Sequence, residues 1–217
     1  MEAKLFAKKV QMGSGKNSVM DARRRRWLIA TSVTGGIGSV ATLMPFAEYF
    51  EPSARARAEG APVTVSIAGL RPGEMMTVAW RGMPVFIVNR TAAMQSAVIK
   101  AEPYVADPSS DRTFLMPLPT YCRNVYRSRQ EHPNVLVVVG VCTHLGCTPI
   151  ARFAPGAQPG LPEDWPGGFF CPCHGSTYDL AGRVFKDKPA PQNLDVPRYM
   201  FAASSTLAIG RDEHGEA

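Results

Sequence analysis

The hydrophobic pattern of the chain changes sharply between its N-terminal region and the rest. Residues from Trp27 to Ala47 form a run of 21 positions without a charged side chain. An α-helix needs about 20 apolar residues to cross the hydrocarbon layer of a membrane. We therefore predict a basic tail over residues 1–26 and a single transmembrane anchor over residues 27–50.

The pattern beyond the anchor is that of a linker followed by many short strands. Residues 51–62 are rich in Ala, Arg and Pro and have no apolar periodicity, so we predict a hinge linker there. Residues 63–217 contain short apolar or alternating runs bounded by Gly, Pro and Asn, which are typical of strands. The predicted strands are Val63–Ile67, Met75–Trp80, Pro84–Asn89, Val135–Val141, Ser176–Leu180, Arg183–Phe185, Leu194–Val196, Met200–Ala203 and Thr206–Ile209.

One short helix interrupts this series of strands. Thr91 is a candidate N-cap for a helix that runs to about Lys100, whereas residues 107–134 show no period and are predicted to be irregular. Many short strands with one short helix favour a mostly β head of antiparallel strands. The predicted fold is thus a single N-terminal transmembrane helix, a hinge and a β head with an inserted subdomain at about residues 135–190, which holds four of the five cysteines.

The net charge of +6 is confined to the tail that precedes the anchor. Residues 1–26 hold eight of the 24 basic residues and two of the 18 acidic ones, so the remainder of the chain is neutral. This distribution argues against nucleic-acid binding, which needs a basic surface on the folded domain. Because basic residues stay on the cytoplasmic side of a membrane, we predict a cytoplasmic N-terminus with the head on the opposite side.

Two short runs carry the candidate chemistry of the head. The first extends from Cys142 to Cys147 with the order C-T-H-L-G-C, and the second begins at Cys171 with the order C-P-C-H-G-S. Together they supply four cysteines and two histidines, six soft ligands for the four protein positions of a small metal centre. Two cysteines should therefore have another role. Tetrahedral zinc is an alternative, but it leaves two thiols surplus.

These runs, and most of the region after residue 62, resemble the Rieske iron–sulfur subunits of ubiquinol–cytochrome c reductase (complex III). In a Rieske centre, histidines replace the cysteines on one iron of a 2Fe-2S cluster, and the reduction potential is high. The resemblance implies the cluster ligands Cys142, His144, Cys171 and His174, and a disulfide between Cys147 and Cys173. The fifth cysteine, Cys122, is interpreted as a small buried or loop thiol and not as a ligand.

The resemblance extends to residues that follow the second run. Ser176 and Tyr178 stand in the order G-S-x-Y-D, in which the serine hydroxyl is implied to bond a bridging sulfide and the tyrosine hydroxyl a ligand thiolate, here that of Cys142. Lys188-Pro189-Ala190-Pro191 resembles the proline loop that covers the cluster, although that loop usually begins with Gly. Leu145 is expected at a docking surface.

The resemblance also implies the activity and the partners. Ubiquinol would give one electron to the cluster with proton release, at the outward-facing imidazoles of His174 and His144, and the head would pass the electron to a c-type cytochrome and so contribute to the proton-motive force. The implied partners are cytochrome b and a c-type cytochrome in a homodimer of heterotrimers. The alternative is the Rieske small subunit of a periplasmic molybdenum oxidase such as arsenite oxidase.

The compartment is predicted from the start of the anchor. Arg24-Arg25-Arg26-Trp27-Leu28 fits a twin-arginine export signal, and the implied disulfide needs an oxidising compartment. We expect a retained anchor in a bacterial inner membrane and a periplasmic head. A cleaved signal peptide is the alternative, because Ala54-Arg55-Ala56 has the form of a cleavage site.

Overall fold

The structure, a computed structural model, describes residues 14–51, 53 and 60–216. Its first compact unit contains helix α1, Ser14–Tyr49, and its second contains the head. Residues 1–13 of the predicted tail, and most of the predicted hinge with Ala54-Arg55-Ala56, lie outside the described residues.

Helix α1 begins well before the apolar run and continues through it. The part from Asp21 to Tyr49 is long and apolar enough to cross a membrane. Hydroxyl groups within it donate to carbonyl oxygens one turn back, as Thr34 does to Ala30 at 2.8 Å and Thr42 to Gly38 at 2.8 Å. The hydroxyl protons of these threonines are therefore hydrogen-bonded within the helix. A lipid environment would offer them no other acceptor.

The head is built from three small antiparallel sheets and one hairpin. Its elements are β1 (Val63–Ser66), β2 (Met75–Trp80), β3 (Met83–Asn89), α2 (Ala92–Ala101), β4 (Val135–Val139), β5 (Ile150–Arg152), β6 (Gly168–Cys171), β7 (Ser176–Tyr178), β8 (Tyr199–Ala203), β9 (Thr206–Ile209), β10 (Arg211–Asp212) and β11 (Gly215–Glu216). The sheet orders are β1-β9-β8, β2-β3-β4 and β5-β6-β7, with β10 paired to β11. The predicted mostly β fold with one long N-terminal helix is confirmed.

The second sheet carries the centre of the core. Strand β4 is buried along its whole length, and Val85–Val88 of β3 are buried as well, which explains why both sequences lack alternation. Strand β4 ends at Val139, two residues before the prediction. At the next position a side chain would have no room, because a Cβ on Gly140 would lie 2.4 Å from the ring of Phe86.

Helix α2 begins where the sequence predicts. The hydroxyl of Thr91 accepts the backbone N–H of Met94 at 3.2 Å, so Thr91 is the N-cap. Met94 and Val98 on one side of the helix pack into the core. The sequence prediction of a single short helix in the head is correct in type and in extent to within one residue.

Two predicted strands are wrong. Residues 183–185 make only isolated bridges, Val184 with Tyr178 and Phe185 with Val105, and residues 194–196 form no strand. The apolar residues of both segments are nevertheless buried. The short strands β5 and β6 and the hairpin β10–β11 were not predicted as strands, and the third sheet to which β5 and β6 belong carries the two cysteine–histidine runs.

Candidate metal centre

The two cysteine–histidine runs fold into matched turns. In the first, the backbone N–H of Gly146 donates to the carbonyl of Cys142 at 2.9 Å, and in the second, Gly175 donates in the same way to Cys171 at 3.0 Å. Both glycines have a positive φ, 83° and 77°, which side chains with a Cβ rarely adopt. Each turn therefore places a cysteine at its start and a histidine before its glycine.

The third sheet brings the two turns together. Strand β6 leads directly into Cys171, and strand β7 returns from the second turn and pairs with β6 through Cys171 and Ser176. The first turn lies between the end of β4 and strand β5, which pairs with the other edge of β6. Two runs that lie far apart in sequence thus share one end of the sheet.

Two free thiols lie on the buried side of the paired turns. Cys142 and Cys171 are 1% and 2% exposed. Burial raises the pKa of the Cys171 thiol above its ordinary value, because removal from water disfavours the thiolate. A metal cation would reverse this preference by pairing with the thiolates.

Two imidazoles lie on the outer side of the same turns. The rings of His144 and His174 have centroids 4.7 Å apart and are nearly perpendicular, at 89°. His174 is exposed and His144 is half-buried. Within the described residues, Nδ1 of His144 is buried and has no hydrogen-bond partner, and such an orphaned ring nitrogen is what a missing metal ion leaves behind.

A disulfide closes the space between the turns by joining Cys147 to Cys173. These are the two cysteines that the resemblance assigns to a bridge. Their sulfurs lie within 4.8 Å of the Cys171 thiol, but neither is a free thiolate, so this group of three sulfurs is not a ligand set. The disulfide leaves Cys142 and Cys171 as the free thiols of the two turns.

Hydroxyl groups surround the buried side of the site. The Tyr178 hydroxyl donates to Sγ of Cys142 at 3.2 Å, and burial raises the pKa of that phenol well above its ordinary range, so it keeps its proton. The Ser176 hydroxyl accepts the backbone N–H of Ala190 at 3.0 Å and retains its own proton as a donor. Both side chains are fully buried.

The segment that resembles a proline loop is tied to both turns. Ala190 is bound to Ser176 after the second turn, and the Thr143 hydroxyl in the first turn donates to the carbonyl of Gln192 at 2.6 Å. The left-handed residue before the prolines is Asp187, with φ 57°, while Lys188 occupies the place where glycine is usual. Leu145 is 69% exposed, as a docking residue must be.

These donors fit a 2Fe-2S cluster of the Rieske type. Two buried thiols and two imidazoles, one with an unpartnered buried nitrogen, supply the two-sulfur, two-nitrogen set that such a cluster requires. The Tyr178 hydroxyl donates to the sulfur of Cys142, which stabilises negative charge there, and the buried Ser176 hydroxyl keeps a proton to donate. Tetrahedral zinc would use the same four donors but gives these hydroxyls no role.

Sequence reasoning missed the buried arginines behind the site. Arg90, Arg127 and Arg183 are at most 3% exposed, and the prediction of an irregular segment over residues 107–134 gives no indication that Arg127 is buried. Arginine is rarely buried, so the sequence carries little signal for this. Cys122 is a buried thiol, with its sulfur 3.7 Å from the Tyr199 hydroxyl.

Comparison with known proteins finds similar sequences over most of the chain. The Rieske 2Fe-2S domain family matches residues 121–200. A ubiquinol-cytochrome c reductase iron-sulfur subunit of Allochromatium vinosum is 47% identical over 88% of this chain and 89% of its own length. The subunit of the same name from Bradyrhizobium diazoefficiens is 37% identical over 87% of this chain and 94% of its own length. Among solved structures, a chain of a hyperthermophilic respiratory Complex III covers 82% of this chain with a TM-score of 0.41 and 23% identity.

Proposed function

We infer the function of this chain from its family: it belongs to the iron–sulfur subunits of bacterial ubiquinol–cytochrome c reductase. It carries a Rieske 2Fe-2S domain and is the electron-transfer subunit of an oxidoreductase complex that oxidises ubiquinol and reduces cytochrome c. The alternative of a small subunit of a molybdenum oxidase is not favoured, because the relatives that match most of the chain carry the ubiquinol–cytochrome c reductase name.

The cluster is held by two residues from each turn. Cys142 and Cys171 supply thiolates from the buried side, and His144 and His174 supply imidazole nitrogens from the outer side. When bound, the cluster supplies a one-electron acceptor of high potential, because its two imidazole ligands are neutral. The disulfide between Cys147 and Cys173 holds the turns at a fixed separation, and Ser176 and Tyr178 donate hydrogen bonds to sulfur.

The exposed histidine is the point of contact with the quinol. The outer ring nitrogen of His174 accepts a hydrogen bond from a quinol hydroxyl and takes up its proton, and the half-buried His144 lies beside it. Proton uptake at this nitrogen is favoured when the negative charge behind it increases, by ordinary charge–charge attraction. Leu145, which projects between a ligand and the disulfide, packs against the partner that surrounds the quinol.

The chain is anchored in the bacterial inner membrane by α1. The basic residues before the apolar run keep the N-terminus in the cytoplasm, so the head lies in the periplasm, where the disulfide is stable. Residues 51–62 form the hinge and residues 63–217 the head, which moves between cytochrome b and a c-type cytochrome. The complex is a homodimer of heterotrimers.

One observation carries this proposal: the paired turns hold two perpendicular imidazoles, at least one of them exposed, and two buried free thiols. Expression of the full chain in bacterial membranes tests it by iron content and electron paramagnetic resonance. We expect two iron atoms per chain and a resonance signal that a quinone-site inhibitor alters in the intact complex. Copurification with haem b and haem c proteins separates this function from the molybdenum oxidase. Iron-free, zinc-containing protein after anaerobic purification would reject it.

A further inference from the structure

Three buried guanidinium groups converge on the turn formed by residues 179–183. This turn directly follows Tyr178, whose hydroxyl bonds the Cys142 sulfur at 3.2 Å. Arg90 donates from Nη1 to the carbonyl of Leu180 at 3.1 Å, and Arg127 donates from Nη1 to the carbonyl of Ala181 at 3.0 Å. The arginines therefore hold the stretch of backbone that leads away from the site.

The charges of these groups are not fully balanced. Arg183 is paired with Asp179 at 2.8 Å, both essentially inaccessible. Arg90 and Arg127, in contrast, bond only carbonyl and hydroxyl oxygens. The other carboxylate whose charge reaches Arg127 belongs to Asp195. Among the described residues, Arg90 and Arg127 therefore have no carboxylate partner at hydrogen-bond distance, in contrast to Arg183.

Burial of an unpaired cation is costly, so its persistence needs a reason. Desolvation lowers the pKa of Arg90 and of Arg127 to about 10, and both therefore remain charged at neutral pH. Arg127 also holds a left-handed backbone conformation, with φ 50°, a strain that is commonly found at functional sites. Binding of these backbone carbonyl groups does not by itself require a charged side chain. An uncharged donor would bind them without the cost of removing a charge from water.

We propose that the buried guanidinium of Arg127, assisted by that of Arg90, raises the reduction potential of the metal centre by its positive charge. This inference rests on the proposed function, since it requires the 2Fe-2S cluster. Reduction adds one negative charge to the centre, and a fixed cation in a poorly screened interior stabilises the reduced form. Arg127 acts through space and does not touch the ligands, so its role is that of a tuning residue.

The expected size follows from chain geometry. Three residues and one tyrosine side chain separate Ala181 from the Cys142 sulfur, which places the Arg127 charge within roughly 20 Å of it. At an effective dielectric constant of about 20, one charge at roughly 12 to 20 Å changes the electron affinity by about four- to tenfold. For a one-electron couple this corresponds to about 35 to 60 mV.

The test is a redox titration of the full chain in bacterial membranes, followed by electron paramagnetic resonance at about pH 6, where a substituted lysine also stays charged. Arg127→Gln should lower the midpoint potential by the stated amount, and Arg127→Lys should keep most of the wild-type value. Arg123→Gln is the matched control, because Arg123 lies in the same segment with its side chain 52% exposed and should leave the potential unchanged.

Two results would overturn the proposal. The first is an unchanged potential in an iron-loaded Arg127→Gln protein, and the second is an equal fall in the Gln and Lys variants, which would assign the effect to geometry instead of charge. If Arg127→Gln fails to fold, Arg90→Gln tests the same charge effect with the same expected direction. An iron-free wild-type protein would instead reject the proposed function, so the two failures are distinguishable.

Discussion

Replacement of Tyr178 by phenylalanine isolates one hydrogen bond to the metal site. The Tyr178 hydroxyl has three polar neighbours: Sγ of Cys142 at 3.2 Å, the backbone N–H of Thr143 at 3.2 Å and the Thr143 hydroxyl at 3.3 Å. The backbone N–H can only donate, and the Thr143 hydroxyl donates its proton to the carbonyl of Gln192 at 2.6 Å. The acceptors open to the phenolic proton are therefore the Cys142 sulfur, which is the nearer, and the Thr143 oxygen.

The magnitude follows from the charge of that sulfur. A hydrogen bond to a charged acceptor contributes roughly 1.5 to 3 kcal/mol, but only its increase on reduction affects the potential. If a third to a half of it depends on the added electron, the effect is about 0.5 to 1.5 kcal/mol. With tenfold equal to about 1.4 kcal/mol and 59 mV, Tyr178→Phe should lower the midpoint potential by about 20 to 65 mV.

The assay is again a redox titration of the membrane-bound chain, with iron content as the check on loading. Tyr121→Phe is the matched control, because it also removes a partly buried phenol hydroxyl. That hydroxyl accepts the backbone N–H of Tyr199 at 3.0 Å, and both residues lie outside the two turns in sequence. The control should lose stability without a change in potential. A fully loaded Tyr178→Phe protein with the wild-type potential would refute the reasoning.

Three further predictions concern stability. Arg183→Met leaves the carboxylate of Asp179 buried without its partner and should lower the free energy of unfolding by roughly 3 to 5 kcal/mol in urea titrations. The double variant with Asp179→Asn should recover stability. A loss below about 1 kcal/mol in the single variant would contradict the pairing. Reduction of the disulfide, or replacement of Cys147 and Cys173 by alanine, opens a loop with a sequence separation of 26 and should cost about 3.5 kcal/mol by the same titration; equal stability with and without reductant would be the opposing result. Burial raises the pKa of the Cys122 thiol from 9.0 to about 11, so the unfolded chain releases this proton first and stability should fall by roughly 2 to 3 kcal/mol as pH rises from about 9 to 11. Cys122→Ser should remove that part of the decline, and parallel stability–pH curves for the two proteins would disprove the assignment.

Local signals in the sequence predicted the parts of the fold that local forces determine. The N-cap at Thr91 is a contact across three residues, and the apolar run of β4 is buried because both faces of its sheet are covered. The two predicted strands that do not form fail for a common reason. The N–H of Val184 is satisfied by the side chain of Asn193, and the carbonyl of Leu194 by Arg127. An apolar pattern predicts burial, but it does not say which groups will bind the backbone.

The candidate site likewise has features that local sequence determines and features that depend on tertiary contacts. Its donor types and their spacing are visible in two short motifs, and the disulfide pairing follows the resemblance. The perpendicular arrangement of the imidazoles and the orphaned nitrogen of His144 depend on how β6 pairs with both of its neighbours, which no local pattern contains. Arg90 and Arg127 are the extreme case, because most of their partners are backbone carbonyl groups, which every residue possesses.

The two sides of the site are therefore suited to different tasks. The thiol side is buried beside the hydroxyls of Ser176 and Tyr178, so substitutions there should change the reduction potential with little effect on access. The imidazole side presents the exposed His174 and the 69% exposed Leu145. Because these side chains face solvent, substitution of Leu145 should have little effect on the electron affinity of the centre. Substitution of Leu145 by alanine should consequently slow electron transfer with the quinol site while leaving the potential unchanged, since it removes only contact area from a docking surface. A shift in potential with unaltered turnover would show that the closed and open sides are not separated in this way.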